Sequence, residues 1–341
     1  MIRILAKKLI ERSHNCFMNN YLPLEICPLC ENSQRTLVFS VNDCIGTNQE
    51  FDLVRCLGCS HVYVTPVPIK GTLGRYYPEE YYSYNINVEK INRRLRYRVK
   101  KWIFNWQGKW QWLRKLLRSF LENQVAVMPM FYRRGKILDV GCGTGRFLSL
   151  IEDLGWETYG IEISKQATEI VRKNGHQVFC GNLLDANYPS KFFDVITYDN
   201  TLEHILRPVK CLEETYRILK PQGEVVVCVP NFDCWERTIF QKDWHHLPVP
   251  LHLHHFGYES LSYLLSKTGF KILKVKYALR MGAIRPNLRV IRRKFGIFNL
   301  NSLQIHIFSM LLLSGYILLL PLSYTRLARK MGIYLIIHGR K

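Results

Sequence analysis

Three groups of residues have types and spacings that could do chemistry. Cys27-Pro28-Leu29-Cys30 and Cys56-Leu57-Gly58-Cys59 each present two thiols from a tight turn. Two such turns complete the tetrahedral four-sulfur shell that suits Zn²⁺, and a shell closed by four protein ligands is structural, not catalytic. The second group is Asp139-Val140-Gly141-Cys142-Gly143-Thr144-Gly145. Its glycines let backbone approach a ligand, and the helix that follows points its first amides at the same place. A dinucleotide loop needs G-x-G-x-x-G, which counted from Gly141 puts Arg146 at the third glycine, so the spacing fails for NAD. The third group is histidine: His204 in Leu202-Glu203-His204, and five more between Trp244 and Phe256. Imidazole is the usual proton acceptor near neutral pH. His204 and His252 are the candidate bases, and for each a structural hydrogen-bonding role is the competing reading. A metal among the five is a further option, but i, i+2, i+3 spacing in a loop does not favour a ligand set.

The elements that must position these groups follow from periodicity. From about residue 133 short apolar strands alternate with helices. Lys136 to Val140, Thr158 to Ile161, Gln177 to Cys180, Phe193 to Tyr198 and Glu224 to Val229 read as strands. Ser164 caps one intervening helix, and Pro208 opens another that Lys220-Pro221-Gln222-Gly223 stops. Such alternation implies a mostly parallel sheet covered on both faces. Four regions separate: a basic N-terminal helix over 1–22, the cysteine- and strand-rich segment 23–84, a basic aromatic helical connector over 85–132, and the α/β part over 133–341 with a hydrophobic insertion at about 280–332. In the connector Trp102, Trp106, Trp110, Leu113 and Leu117 recur on one helical face. Within the cysteine segment, strand-like Arg35 to Val41 and Phe51 to Val54 would bring the two pairs together.

With 341 residues, 48% of them hydrophobic, the chain can bury a full α/β core and is not disordered. Eleven cysteines would suit a secreted disulfide scaffold, yet four of them form C-x-x-C pairs and no cleavable signal pattern precedes them. A reducing cytoplasm with bound metal fits better. A formal net charge of +21 calls for a polyanionic partner surface, and no Asp or Glu occurs after Glu259.

The glycine loop resembles motif I of class I S-adenosylmethionine-dependent methyltransferases. The C-P-x-C and C-x-x-C pairs, Tyr76-Tyr77-Pro78-Glu79-Glu80-Tyr81-Tyr82, Leu202-Glu203-His204 and His252-Leu253-His254-His255-Phe256 extend the likeness to bacterial zinc-ribbon methyltransferases. The resemblance implies a Rossmann-like seven-stranded sheet with an N-terminal zinc ribbon and a C-terminal helical insertion before the last strand. It places S-adenosylmethionine on Asp139, Gly141, Gly143, Gly145, Glu162, Asn182, Leu183 and Asp199, with Glu162 accepting the ribose hydroxyls. Asn182 stands where the family usually has an acid for the adenine amino group, and its amide oxygen can still accept. Zn²⁺ would sit on Cys27, Cys30, Cys56 and Cys59. The implied acceptor is a small, sugar or lipid-linked molecule in glycan, nucleotide-sugar or lipid biosynthesis.

Two other readings compete. The ribbon and the charge suit an RNA methyltransferase, but Asp199-Asn200-Thr201-Leu202 lacks the Asn/Asp-Pro-Pro-aromatic tetrad and no Pro-Cys pair follows the fifth strand. A non-catalytic zinc-ribbon scaffold is opposed by the intact Asp139, Gly141, Gly143, Gly145 and Glu162. The uncharged stretch from Ile297 to Thr325 is long enough to cross a bilayer. Basic groups flank it on both sides, and strand-like Lys271 to Tyr277 and Tyr334 to His338 bracket it. By the resemblance these strands are the final antiparallel pair. The expectation is peripheral contact with an anionic cytoplasmic membrane face, with a buried lid as the alternative.

Overall fold

The computed structural model describes residues 21–69, 72, 76, 127–130, 135–278 and 326–341. The expected N-terminal helix up to residue 20, the connector helix with Trp102, Trp106 and Trp110, and the apolar stretch 297–325 lie outside the described residues.

Strands β1 (Tyr21–Leu22), β2 (Arg35–Asn42), β3 (Glu50–Cys56), β4 (Val62–Thr65) and β5 (Val67–Pro68) occupy the cysteine-rich segment. Then come β6 (Lys136–Val140), α1 (Arg146–Glu152), β7 (Glu157–Glu162), α2 (Lys165–Lys173), β8 (Gln177–Cys180), β9 (Phe193–Asp199), α3 (Pro208–Ile218) and β10 (Leu219–Pro230). The chain ends with α4 (Trp235–Phe240), β11 (His254–His255), α5 (Tyr258–Lys267), β12 (Lys271–Ala278), α6 (Arg326–Met331) and β13 (Tyr334–Arg340).

A seven-stranded sheet in the order β12-β13-β10-β9-β6-β7-β8 makes the Rossmann-like framework. Every neighbouring pair from β10 to β8 is parallel, and β13 alone runs against its two neighbours, β10 and β12. Strand order reverses direction between β6 and β9, and ligands of open α/β sheets bind at the carboxyl ends of strands beside such a switch point. The strands are apolar throughout because both faces are covered: Val225 to Val229 of β10 are all buried. Leu138, Ile196, Val225 and Val227 face α3 and α5 through Leu212, Leu261 and Leu264. Ile137, Val195, Val226 and Cys228 face Ile151 and Trp156 on the other side. Ser164 caps α2 by accepting from the Ala167 N–H at 3.3 Å, as its sequence position predicts.

Two features differ from local expectation. The strand read from Glu224 begins at Leu219, which pairs with Phe193 before the register shifts to Glu224↔Val195. Gln222, with φ +65°, makes the turn that absorbs the intervening residues. The second feature is larger. A four-stranded antiparallel sheet has the order β11-β4-β3-β2, so the histidine-rich segment supplies its fourth strand. His254 pairs with Tyr63 and His255 with Val62. The cysteine segment and the α/β part therefore share a sheet, and Phe51, Leu53, Val62 and Val64 share a core with Phe232, Trp244, Leu247 and Leu251.

Candidate active site

The glycine loop leaves β6 at Asp139, which is buried and accepts from Thr197 Oγ1 of β9 at 2.7 Å. Gly141, Gly143 and Gly145 all have positive φ (+76°, +53° and +77°), which side-chain-bearing residues rarely adopt. Their surroundings differ. A Cβ on Gly141 would lie 2.4 Å from Thr201 Oγ1, so that glycine lets the loop pack against the turn after β9. A Cβ on Gly143 would meet nothing within 4 Å, so Gly143 borders open space. Glu162, at the end of β7, is buried and braces the loop: Oε2 accepts from the Gly143 N–H and Oε1 from the Ser164 N–H, both at 2.9 Å. A carboxylate has about four acceptor positions, so two remain for a further donor such as a ribose hydroxyl.

The other sequence-predicted residues sit at the same edge. Parallel register places Asp139 beside Thr197 and Gly160, and Glu162 beside Cys180, one residue before Gly181 and Asn182. Asn182 is exposed and donates its amide to Asp185 Oδ2 at 3.2 Å, which leaves its carbonyl oxygen as the acceptor; Leu183 is buried beneath it. Asp199 ends β9 and accepts from Asn200 Nδ2 at 3.0 Å. Three carboxylates thus converge at the switch point. Burial pushes the Asp139 carboxyl up to about 8, the charges of Asp199 and Glu162 add to the rise, and the Thr197 bond opposes it. Such an edge favours a cationic ligand.

The four cysteines of the two turns come together as expected. Cys27 Sγ lies 3.6 Å from Cys59 Sγ and Cys30 Sγ 3.4 Å from Cys56 Sγ, with all four sulfurs within 4.8 Å of one another. These separations are too long for disulfides, whose S–S length is about 2.05 Å. They approach the ~3.8 Å edge of a tetrahedron with Zn–S bonds of about 2.3 Å. The two turns match: the residue after each second cysteine, Glu31 and Ser60, is left-handed at φ 63° and 59°. Cys44, outside the set, is exposed. Lys267 Nζ of α5 donates to the Leu29 carbonyl at 2.7 Å, docking the module onto the α/β part.

The histidines lie in the turn after β9 and in the segment that contains β11. Leu202–His204 is a single 3-10 turn directly after β9. His204 Nδ1 donates to the Leu251 carbonyl at 2.8 Å, the Leu253 N–H donates to the Glu203 carbonyl at 2.9 Å, and His254 Nε2 donates to the Ile205 carbonyl at 3.0 Å. These bonds hold the two segments side by side. His252 Nδ1 donates to the His246 carbonyl at 3.0 Å, and its ring meets that of His204 edge to face at 4.6 Å. Burial pushes the His204 imidazole down to about 4 and that of His252 well below its ordinary value, so both are neutral.

Some functional geometry was not visible in the sequence. Glu203 joins His204 and His252 in one cluster. His61, from the cysteine segment, hydrogen-bonds His254 across the shared sheet at 3.0 Å. The adjacency Glu203-His204 was the available signal for the first; nothing local marked the second. Asn231, after β10, is spent on structure: its amide donates to the carbonyls of Arg329 and Gly332 at 2.8 and 2.7 Å.

We expect Gly143→Val to abolish cofactor binding, because the branched side chain enters the open space under the loop while the positive φ strains the backbone. Glu162→Ala should weaken binding by roughly 1.5–3 kcal/mol for each hydrogen bond to charge that is lost. It should also loosen the loop, since the Gly143 and Ser164 N–H groups lose their acceptor. Calorimetry on both variants checks this, and wild-type affinity in either would contradict the placement.

Similarity to known proteins points to methyl transfer. The family described as "Methyltransferase domain" matches residues 110–275, a range that excludes the cysteine module. An uncharacterized protein of Methanocaldococcus jannaschii is 27% identical over 161 residues, covering 45% of this chain and 70% of its own length. A "Probable S-adenosylmethionine-dependent methyltransferase" of Mycolicibacterium smegmatis is 27% identical over 138 residues, covering 40% of this chain and 52% of that protein. The ubiquinone biosynthesis O-methyltransferase of Alkalilimnicola ehrlichii is 31% identical over 105 residues, or 28% of this chain and 42% of that one. A solved methyltransferase of Archaeoglobus fulgidus aligns with a TM-score of 0.44 at 19% identity, covering 67% of this chain and 94% of its own. The chain is an S-adenosylmethionine-dependent methyltransferase.

Proposed function

We propose that the protein methylates a small, sugar or lipid-linked acceptor in glycan, nucleotide-sugar or lipid biosynthesis, with one structural Zn²⁺ held by Cys27, Cys30, Cys56 and Cys59. The observation that carries this reading is the wall made by β11 and the 3-10 turn of Leu202–His204. The turn follows β9 and is bonded to the histidine segment, whose β11 pairs with β4 of the cysteine module. A wall of buried histidines and short bonded loops suits a small enclosed acceptor better than a duplex.

In this reading the glycine loop, Asp139 and Glu162 hold S-adenosylmethionine, Asn182 and Leu183 border its adenine, and Asp199 adds negative charge to the edge. S-adenosylmethionine supplies an electrophilic methyl group on a sulfonium. Fixing the two partners in line contributes up to about 7–11 kcal/mol of the acceleration. His204 and His252 then take the acceptor's proton where the nucleophile carries one. Their Nδ1 atoms are committed to carbonyls, so Nε2 is the basic atom of each. Zinc would fix the cysteine turns and, through β4 and β11, the histidine wall.

Contact with a membrane belongs to the same proposal. No helix among the described residues is long and apolar enough to cross a membrane. The strands on either side of residues 279–325 are neighbours, with Ala278 opposite Tyr334, so the chain leaves and returns at one edge of one sheet. That return opposes a single crossing and suits attachment to one anionic leaflet. The protein should sediment with membranes at low salt and be released, at least in part, by alkaline carbonate. Full recovery in the low-salt supernatant would end the membrane proposal.

Incubation with methyl-labelled cofactor and fractionated extract tests the acceptor class. Label in polar lipid or soluble sugar is the expected result. Label in RNA, with a gel shift that weakens steeply with salt, would replace this reading with the nucleic-acid one.

A further inference from the structure

Glu203, His204 and His252 come together although 48 residues separate the two histidines. Each offers one ligand atom, and the three atoms lie within 4.8 Å of one another. Backbone bonds on both sides of the cluster hold it in place. The Glu203 carbonyl accepts from the Leu253 N–H, and the two Nδ1 atoms donate to the carbonyls of Leu251 and His246. A carbonyl only accepts, so both Nδ1 atoms carry the proton and both Nε2 atoms present lone pairs. A ring N–H committed to a carbonyl is the usual outer partner of a metal-binding histidine, where it sets tautomer and ring orientation.

We propose that Glu203, His204 and His252 bind a divalent first-row transition-metal ion, distinct from the cysteine-bound one, which takes an oxygen of the methyl acceptor as a further ligand. Two imidazoles and one carboxylate are a borderline donor set suited to ions of the Zn²⁺, Co²⁺ and Fe²⁺ class, whereas Mg²⁺ and Ca²⁺ prefer all-oxygen shells. Ligand atoms about 2.0–2.2 Å from the ion stand about 3.5 Å apart in a tetrahedron, so the cluster closes by no more than ~1.3 Å on binding. Glu203 and His252 are buried while His204 is partly exposed. Three protein ligands leave at least one position open, as catalytic sites do.

This inference rests on the methyltransferase reading and deepens it, giving the histidines the role of ligands where the simpler reading makes them bases. An acceptor hydroxyl on the ion is acidified, as metal-bound water is. Its proton passes to solvent, its oxygen forms the new bond to the methyl carbon as the methyl–sulfonium bond breaks, and the sulfur keeps that electron pair as the neutral thioether of S-adenosylhomocysteine. The acceptor class is then hydroxyl-bearing.

The test titrates Co²⁺ into full-length protein that retains its cysteine-bound zinc. Visible absorption and metal per chain are read after gel filtration, and cofactor binding is measured on the same samples. Wild type is expected to take up one Co²⁺ beyond the retained zinc. His252→Ala and Glu203→Gln should each weaken that uptake more than about 100-fold, beyond the 10–100-fold typical of losing an outer partner, with zinc content unchanged. His245→Ala should leave it intact. Wild type that takes up no Co²⁺, or a His252→Ala protein that keeps its zinc and takes up Co²⁺ as tightly as wild type, overturns the site. Normal Co²⁺ uptake without cofactor binding would instead count against the methyltransferase reading, so the two failures are distinguishable.

Discussion

Cys59→Ser should strip zinc from the cysteine module and destabilise the protein by at least about 4 kcal/mol, the range reserved for loss of a metal or a comparable element. Metal binding and folding are coupled in small modules of this kind, because the site exists only when folded. The damage should also spread. The turn holding Cys56 and Cys59 leads directly into His61 and β4, and β4 is the partner of β11. Losing that turn frees His61 from His254 and the Val64 N–H from the Leu253 carbonyl, bonds of 3.0 Å each. Hydrogen exchange should therefore accelerate not only at residues 50–65 but also at residues 250–256, some 190 positions away. Cys44→Ser, at an exposed thiol outside the set, should change stability by no more than about 0.5 kcal/mol. Metal analysis with exchange mass spectrometry checks both. A Cys59→Ser protein whose histidine segment stays protected would show that the two halves of the sheet are energetically independent.

Asp139→Asn should separate stability from binding. The carboxyl titrates near 3.9 in an unfolded chain and at about 8 in the folded one. Between these values the native state holds the extra proton. The stabilisation that goes with it is complete below about pH 4 and lost as pH rises through about 8. Asparagine keeps an oxygen for Thr197 and has no charge to bury. The cofactor-free variant should therefore match wild type near pH 4 and exceed it by about 1–2 kcal/mol at pH 8, in the range of other single stabilising changes. Cofactor affinity should move the other way. A sulfonium and an ammonium favour the ionised carboxyl, so wild-type binding should strengthen from pH 6 to pH 8 and release a proton below pH 8. The variant should lose that pH dependence and bind about 10–100-fold more weakly, as expected for about 1.5–3 kcal/mol lost with a charged partner. Denaturation curves and calorimetry in buffers of differing ionisation enthalpy read both effects. Equal cofactor affinity in the two proteins would remove Asp139 from the site.

Much of the framework was legible because its signals are local. The parallel strands buried on both faces are continuous apolar runs, as in Glu224 to Val229, and Ser164 and Pro208 mark helix starts within a residue of their observed positions. The glycine loop announced a ligand edge because positive φ at Gly141, Gly143 and Gly145 demands that residue type. The start of β10 was missed because Leu219 pairs with Phe193 through an irregular turn that no periodicity encodes. The shared sheet was missed for a stronger reason. β11 is two residues long, and its pairing with β4 depends on contacts nearly two hundred residues apart. Glu203 carries no local mark beyond its adjacency to His204, and only the fold brings His252 to it.

Calorimetric titration of the folded protein with S-adenosylmethionine at pH 7 decides whether the edge at Asp139, Gly143 and Glu162 holds the methyl donor. One molecule bound per chain, with a proton released and with binding lost in Gly143→Val, is the predicted result. A folded wild-type protein that gives no binding heat at millimolar cofactor in several buffers, or a Gly143→Val protein that binds as wild type does, would contradict it.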